Sequence, residues 1–306
     1  MSEVKPILAI VGPTASGKTH RAVAVAQALN GEIISGDSRQ VYRGMDLGTG
    51  KDIDEYGSVP YHLIDIADAG VKYNLYGFLR DASEALDDIV ARGKTPILCG
   101  GTGLYVESFL KGTELPEVPA NPQLRQSLEG KSIDELAAIL SRMKVLHNVT
   151  DLDTAKRAIR AIEIQTYYRD MPQMSANVQS ATPRKAVVIG VDIDRETRRR
   201  RISERLQARI KAGMTDEVKA LLDKGVAAED LIYYGLEYKF VTKYVIGEIT
   251  FDEMCSQLEI AIHQFAKRQM TWFRGMERRG FIIHWIPFDV TDEEFVARAV
   301  ELYAGA

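Results

Sequence analysis

Gly12-Pro13-Thr14-Ala15-Ser16-Gly17-Lys18-Thr19 decides the reading of this chain. Ahead of it, Pro6-Ile7-Leu8-Ala9-Ile10-Val11 is an apolar run of strand length. Behind it, His20 to Leu29 is rich in Ala and free of Pro and Gly, so it reads as helix. Strand, Gly-x-x-x-x-Gly-Lys-Thr and helix in that order make a phosphate-binding P-loop. The glycines let backbone N–H groups turn inward on an anion, and the helix N-terminus adds partial positive charge. Lys18 brings a full charge to phosphate oxygens. The Thr19 hydroxyl is a hard oxygen ligand suited to Mg²⁺. Gly12 through Thr19 therefore bind something carrying a di- or triphosphate.

The strands and helices that follow alternate. Glu32-Ile33-Ile34-Ser35 reads as a second strand ending at Asp37, and His62-Leu63-Ile64-Asp65-Ile66 as a short third, after a loop from Met45 to Tyr61. Leu75 to Arg92 has helical spacing and stops at Gly93. Thr95-Pro96-Ile97-Leu98-Cys99 is the next strand, closing on Gly100-Gly101-Thr102-Gly103. In open parallel sheets ligands sit beyond the carboxyl ends of the strands, which places Asp37 and Thr102 beside the phosphate loop. The expected fold class is α/β, a P-loop NTPase-like doubly wound parallel sheet.

Three prolines between Pro116 and Pro122 break the rhythm and read as a hinge. Beyond them the pattern is helical, clearest over Ser132–Lys144 and Thr154–Tyr168, and Met171 to Pro183 is loop-like. A strand returns at Ala186–Val191. Residues 118–183 are thus expected to be a helical insertion, a candidate lid, within a core of 1–117 and 184–306. Asp194 can cap a helix running to Lys211, on which Arg201, Arg205 and Arg209 share one face. Thr250-Phe251-Asp252-Glu253 is a capping box opening a long helix to about Arg274, and Phe281–Trp285 is the expected last strand.

Composition sets limits on function. The chain has 306 residues, 45% hydrophobic and 27% charged, as in a soluble globular protein. No apolar run approaches membrane length, and Met1-Ser2-Glu3-Val4-Lys5-Pro6 lacks the pattern of a signal peptide, so a cytoplasmic monomer is expected. Cys99 and Cys255 stand far apart, which argues against zinc and for reduced core thiols. A net charge of −4 gives no global basic field. Two stretches are locally basic, however: 192–211 and Lys267–Arg279, the latter with Trp272 and Phe273. Either suits a phosphate backbone and stacked bases, or forms a solvated helix face.

The P-loop leaves three functions open. A small-molecule kinase would use it for phosphoryl transfer, with Asp65 a weak second magnesium acid. A transferase would use it to hold a leaving pyrophosphate, with Asp37 as general base toward the nucleophile. A nucleotide-gated RNA-binding switch would need no chemistry. His62, His263 and His284 are isolated and read as structural, and Tyr233, Tyr234 and Tyr238 as packing residues.

The P-loop, Asp37-Ser38-Arg39-Gln40-Val41-Tyr42-Arg43-Gly44-Met45-Asp46-Leu47-Gly48-Thr49 with Lys51, and Gly100-Gly101-Thr102-Gly103-Leu104-Tyr105 together resemble the tRNA dimethylallyltransferase family, also called IPP transferases. Arg160-Ala161-Ile162-Glu163, Arg201-Ile202-Ser203-Glu204-Arg205, Gly213 with Glu217-Val218, and Ala266-Lys267-Arg268-Gln269-Met270-Thr271-Trp272-Phe273-Arg274 follow in family order. The resemblance spans nearly the whole chain. It implies transfer of a dimethylallyl group from dimethylallyl pyrophosphate to N6 of the adenine 3′-adjacent to the anticodon of tRNA, with P-loop and Mg²⁺ on the pyrophosphate rather than on ATP.

Residue by residue, the resemblance makes Asp37 the general base, Thr102 the active-site threonine and Arg201 the arginine at the pyrophosphate. It places Asp37, Ser38, Arg39, Gln40 and Thr102 on the target base and its neighbours. Arg125, Lys156, Arg157, Ala158, Ile159 and Arg160 match tRNA-contacting positions in the insertion, as do Tyr238 and Lys239 in the core. The target base must leave its stack to enter such a crevice. The chain departs from the family pattern at Asp153-Thr154-Ala155-Lys156, where Asn-Asp is usual, and at Glu237, where Gly is usual. Related enzymes that prenylate free adenylate share the P-loop, so that substrate is the alternative.

Overall fold

The computed structural model describes residues 5–144, 152–171 and 182–306. The first strand, β1 (Ile7–Val11), is buried throughout, as a strand covered on both faces must be. Gly12–Gly17 turns the chain into α1 (Lys18–Leu29), which leads to β2 (Gly31–Ser35). A single 3₁₀ turn, Ile53–Tyr56, interrupts the long loop before β3 (Tyr61–His62). Then come α2 (Leu75–Ala91), β4 (Thr95–Gly100) and α3 (Gly103–Leu110).

Residues 113–182 form a separate compact unit. Its described helices are α4 (Pro122–Leu128), with proline at the start where its missing N–H does no harm, α5 (Ile133–Ser141), opened by a Ser132/Glu135 capping box, and α6 (Ala155–Asp170). Leu128, Leu136, Leu140, Ala158 and Ile162 make its core. The loop-like stretch expected from Met171 to Pro183 lies almost entirely outside the described residues, as does the amino-terminal Met1–Val4.

The other unit, residues 1–112 with 183–306, resumes at β5 (Ala186–Asp192). Five helices follow: α7 (Arg195–Lys211), α8 (Met214–Asp223), α9 (Ala228–Tyr234), α10 (Leu236–Val245) and the long α11 (Phe251–Arg278). Then β6 (Ile283–Pro287) and α12 (Asp292–Ala304) complete it. Among the described residues the six strands form one parallel sheet in the order β3-β2-β4-β1-β5-β6. The chain steps from β1 out to β2 and β3, comes back as β4 between β2 and β1, and continues on β1's other side with β5 and β6, so the order reverses at the carboxyl ends of β1 and β4, where a ligand crevice opens. Leu8, Ile10, Ile33, Ile97 and Ile189 of the sheet meet Val25 of α1 and Phe295 of α12 in one apolar cluster. A second cluster joins α7–α11 to Val41, Tyr42 and Met45.

The parallel α/β architecture agrees with the sequence reading; two strands have other boundaries, and one helix, α3, is unexpected. The third strand stops at His62 because Leu63 and Asp65 adopt left-handed backbone (φ 64° and 56°). There Asp65 N–H and Ile66 N–H bond back to the Gln40 and Val41 carbonyls, and the Asp65 carboxylate pairs with Lys51. The last strand begins two residues late, since Phe281 N–H closes the end of α11 on the Met276 carbonyl. The glycine-rich opening of α3 hides that helix from sequence patterns.

In the 113–182 unit a buried carboxylate ties α4 to α6. Glu163, its side chain 1% exposed, accepts Arg125 Nε and Nη2 at 2.9 Å, the Asn121 N–H at 2.6 Å, and Arg160. Burial raises its pKa, but these bonds outweigh burial and hold it at about 2. A carboxyl depressed below its ordinary 4.5 contributes stability that is fully present above that pH and is lost as the pH falls through about 2. We therefore predict that Glu163→Gln lowers the opening free energy of residues 121–128 and 155–170 by on the order of 3 kcal/mol at pH 6 and on the order of 1 kcal/mol at pH 3. Hydrogen exchange corrected for intrinsic rates measures this. An equal effect at both pH values would rule the carboxylate out.

Candidate active site

The P-loop conformation follows from its residues. Gly17 takes a left-handed backbone (φ 80°) and caps α1 without any side-chain acceptor, so the first N–H groups of the helix face the cleft. Ser16 N–H bonds to the Pro13 carbonyl at 3.3 Å, tightening the turn. The Ser16 hydroxyl is buried and has no partner. Such an orphan donor inside an anion-binding turn is itself an argument for an absent oxygen ligand.

Lys18 makes no ion pair among the described residues. Burial pulls its ammonium below the ordinary value, while Cys99 and Asp37 act the other way. It opens on a cleft of about 410 Å³ lined also by Ala15, Gly17, Thr19, Arg201 and Arg205 and by the acids Asp52, Glu55 and Glu204. Arg201 donates Nε to the Ala15 carbonyl at 2.9 Å, and its guanidinium lies 4.7 Å from the Phe288 ring centre. Arg205 and Arg209 both reach Asp52, at 3.3 and 3.1 Å. Burial and the like charge of Arg209 pull Arg205 down to about 10. Burial, with Asp52 nearby, raises Glu55. The cleft is thus lined by three cations, Lys18, Arg201 and Arg205, and three acids, Asp52, Glu55 and Glu204, while Arg209 reaches the same Asp52.

The loops after β2 and β4 form the facing wall. Gly36 N–H bonds to the Cys99 carbonyl at 2.7 Å, holding the loops together. Asp37 accepts the Arg39 N–H at 2.9 Å, an Asx turn that fixes its carboxylate. Thr102 Oγ1 accepts the Ser38 N–H at 3.1 Å. Arg39 sits 5.6 Å over the Tyr234 ring. Lys18 and Arg201 thus line the cleft, and the loop of Gly101 and Thr102, bonded to the turn of Asp37 and Ser38, comes up against Lys18, whereas Arg39 is turned to Tyr234.

Three residues expected at tRNA point inward. Gln40 is buried, accepting Ser35 Oγ at 2.8 Å and donating to the Gly50 carbonyl at 3.2 Å. Tyr238 is 2% exposed and donates its hydroxyl to Glu217 at 2.6 Å. Ala158 packs in the core of its own unit. Lys239 is half-buried and Ile159 packs against that same core, whereas Lys156 and Arg157 are exposed and Arg157 pairs with Asp153 at 2.7 Å. Arg125 and Arg160 are bound to Glu163, as described above.

Glu217 and Lys51 fix the loop from Asp46 to Asp52. Glu217 accepts the N–H groups of Asp46, Leu47 and Gly48 at 2.8, 2.7 and 3.2 Å. Lys51, 0% exposed, donates to the Tyr42 carbonyl and Asp46 at 2.6 Å and to Asp65. Asp65 is thereby committed to a buried cation, which removes it as a metal acid of a kinase. No cluster of three His, Cys, Asp or Glu suited to a metal exists among the described residues. Sequence patterns carry a signal for Arg205 and Arg209 in their spacing with Arg201. Gln269 falls in the Ala266–Arg274 run that carries the family resemblance, but nothing in that run indicates that its amide joins Thr14 to Gly101.

No helix among the described residues is long and apolar enough to cross a membrane. The family model described as IPP transferase matches residues 40–276, and one described as isopentenyl transferase matches residues 5–56. The chain is 56% identical over 300 residues to tRNA dimethylallyltransferase 1 of Parabacteroides distasonis, covering 97% of each chain. It is 58% identical to tRNA dimethylallyltransferase 2 of Phocaeicola vulgatus, again covering 97% of each. Among solved structures, the tRNA isopentenylpyrophosphate transferase of Bacillus halodurans matches with a TM-score of 0.72 at 33% identity, over 99% of this chain and 96% of that one. A eukaryotic dimethylallyltransferase acting on tRNA shares the fold, with a TM-score of 0.78 at 22% identity over 93% of this chain and 74% of that one. On the strength of the family model and of full-length relatives above half identity, this chain belongs to the IPP transferase family.

Proposed function

We propose that this protein transfers the dimethylallyl group of dimethylallyl pyrophosphate to N6 of the adenine 3′-adjacent to the anticodon of tRNA. The observation that carries this reading is the unpaired Lys18 on an anion-binding turn, facing a fixed carboxylate at Asp37 across the same crevice. The adenine amine is a poor nucleophile because its lone pair is delocalised into the ring. Asp37 takes its proton as the N6–C1 bond forms. The C1–O bond breaks and its electron pair leaves on the diphosphate, whose charge Lys18, Arg201, Arg205 and the P-loop N–H groups stabilise. Thr102 holds the Ser38 amide and so the turn that carries Asp37.

The donor set suits Mg²⁺: Thr19 on the cleft would offer it a hard oxygen, and the ion would supply charge to the leaving group. On this reading the exposed cations Lys156 and Arg157 of the 113–182 unit, and the half-buried Arg39 and Lys239 of the other unit, are tRNA-binding residues. Gln40, Tyr238 and Ala158 support them from inside. We assign the chain to the cytoplasm, as a monomer.

Incubation with unmodified tRNA, labelled dimethylallyl pyrophosphate and Mg²⁺ should yield a labelled nucleoside. Free AMP run in parallel tests the adenylate alternative, and ATP consumption would mark a kinase. Asp37→Ala should lower transfer about 10²- to 10⁴-fold while leaving donor binding within about twofold; undiminished turnover would remove Asp37 as the base. Lys18→Ala should weaken donor binding by about tenfold or more in titration calorimetry. Unchanged affinity there would refute the role given to the P-loop.

A further inference from the structure

Gln269 lies on the inner face of α11 and is 6% exposed. Its Oε1 accepts the Thr14 N–H at 2.8 Å, and its Nε2 donates to the Gly101 carbonyl at 2.9 Å. One carboxamide therefore joins the loop after β1 to the loop after β4. The fit is close: a Cβ on Gly101 would stand 2.5 Å from Gln269 Nε2 and 3.5 Å from Lys18 Cε. The helix is fixed on the same side by Trp272 and Arg279, which donate to Glu107 of α3 at 2.8 and 2.6 Å. From Gly101 the run of contacts continues through Thr102 to Ser38 and the turn of Asp37.

We propose that Gln269 is a positioning residue that fixes the separation between the diphosphate-holding P-loop and the Asp37–Thr102 wall. This rests on the roles given above to Lys18 and Asp37. The position calls for an acceptor at one end and a donor at the other, both out of water, and a carboxamide supplies both. A carboxylate keeps the Thr14 bond but turns an oxygen on the Gly101 carbonyl. A thioether leaves both backbone groups without a partner. Either change acts on the distance between the reacting ends, not on the grip of either, and a misplacement of about 1 Å costs up to about 100-fold in rate.

The test uses the full-length chain with Gln269→Glu and Gln269→Met, each also combined with Thr102→Val, and Asp37→Ala as reference. Transfer to unmodified tRNA gives kcat, calorimetry gives donor affinity, and thermal melting reports the fold. Gln269→Glu should lower kcat about 10- to 100-fold, with donor affinity within about threefold and a lowered melting temperature that still lies above the assay temperature. Gln269→Met should fall at least as far. Because Gln269 acts through the same wall as Thr102, each double variant should be no more than about threefold below its worse single. The proposal is overturned if Gln269→Glu keeps kcat within threefold, if the losses multiply, or if donor affinity falls as far as kcat. An active Asp37→Ala would instead overturn the reading of the site.

Discussion

A buried ammonium that pairs with no carboxylate among the described residues is the constraint around which this molecule is built. Lys18 stands at the start of α1, below its ordinary pKa through burial, at the point where the strand order reverses. A cation in that position is costly unless an anion is supplied. The loop around it offers inward N–H groups and an unpartnered Ser16 hydroxyl, so the missing partner is one with several oxygens. A diphosphate meets that description, and its departure with a bonding electron pair is what such a site stabilises.

Other charges in the core unit are arranged in the opposite way, with their partners built in. Lys51 is wholly buried but bound to Asp46, Asp65 and the Tyr42 carbonyl. Glu217 gathers three backbone N–H groups and the Tyr238 hydroxyl. Glu107 holds Trp272, Arg279 and Lys111. Fully satisfied buried charges fix geometry, since removing any one partner strands the rest. They set the loop that carries Asp52 to Arg205 and Arg209, and the register of α11 against α3. Rigidity of the wall and readiness of the cleft thus come from one kind of interaction, used in a closed form and an open one.

Motif membership did not indicate side-chain direction. Ser38, Arg39 and Gln40 are consecutive, yet Gln40 turns inward to Ser35 and Gly50 while Arg39 lies over Tyr234. Ala158 sits between the exposed Arg157 and the half-buried Ile159 because α6 packs one stripe against its neighbours. Asp65 reads as part of a strand over 62–66, but it lies in a left-handed turn and pairs with Lys51. In each case a long-range partner, not local propensity, decided the outcome.

By itself, the sequence determined the α/β class, the phosphate-binding turn, the position of Asp37 and Thr102 at strand ends, and the family. Those features are local: strand, turn and helix signals lie within a few residues of one another, and parallel strands carry their loops to one edge. Only the tertiary structure decided that Glu217 fixes the loop at Asp46–Gly48, that Asp65 belongs to Lys51, and that Gln269 bridges Thr14 and Gly101. Those pairs are separated by between 14 and 255 residues. No periodicity records which distant backbone group a buried side chain will meet, because burial is set by packing once the whole core has formed.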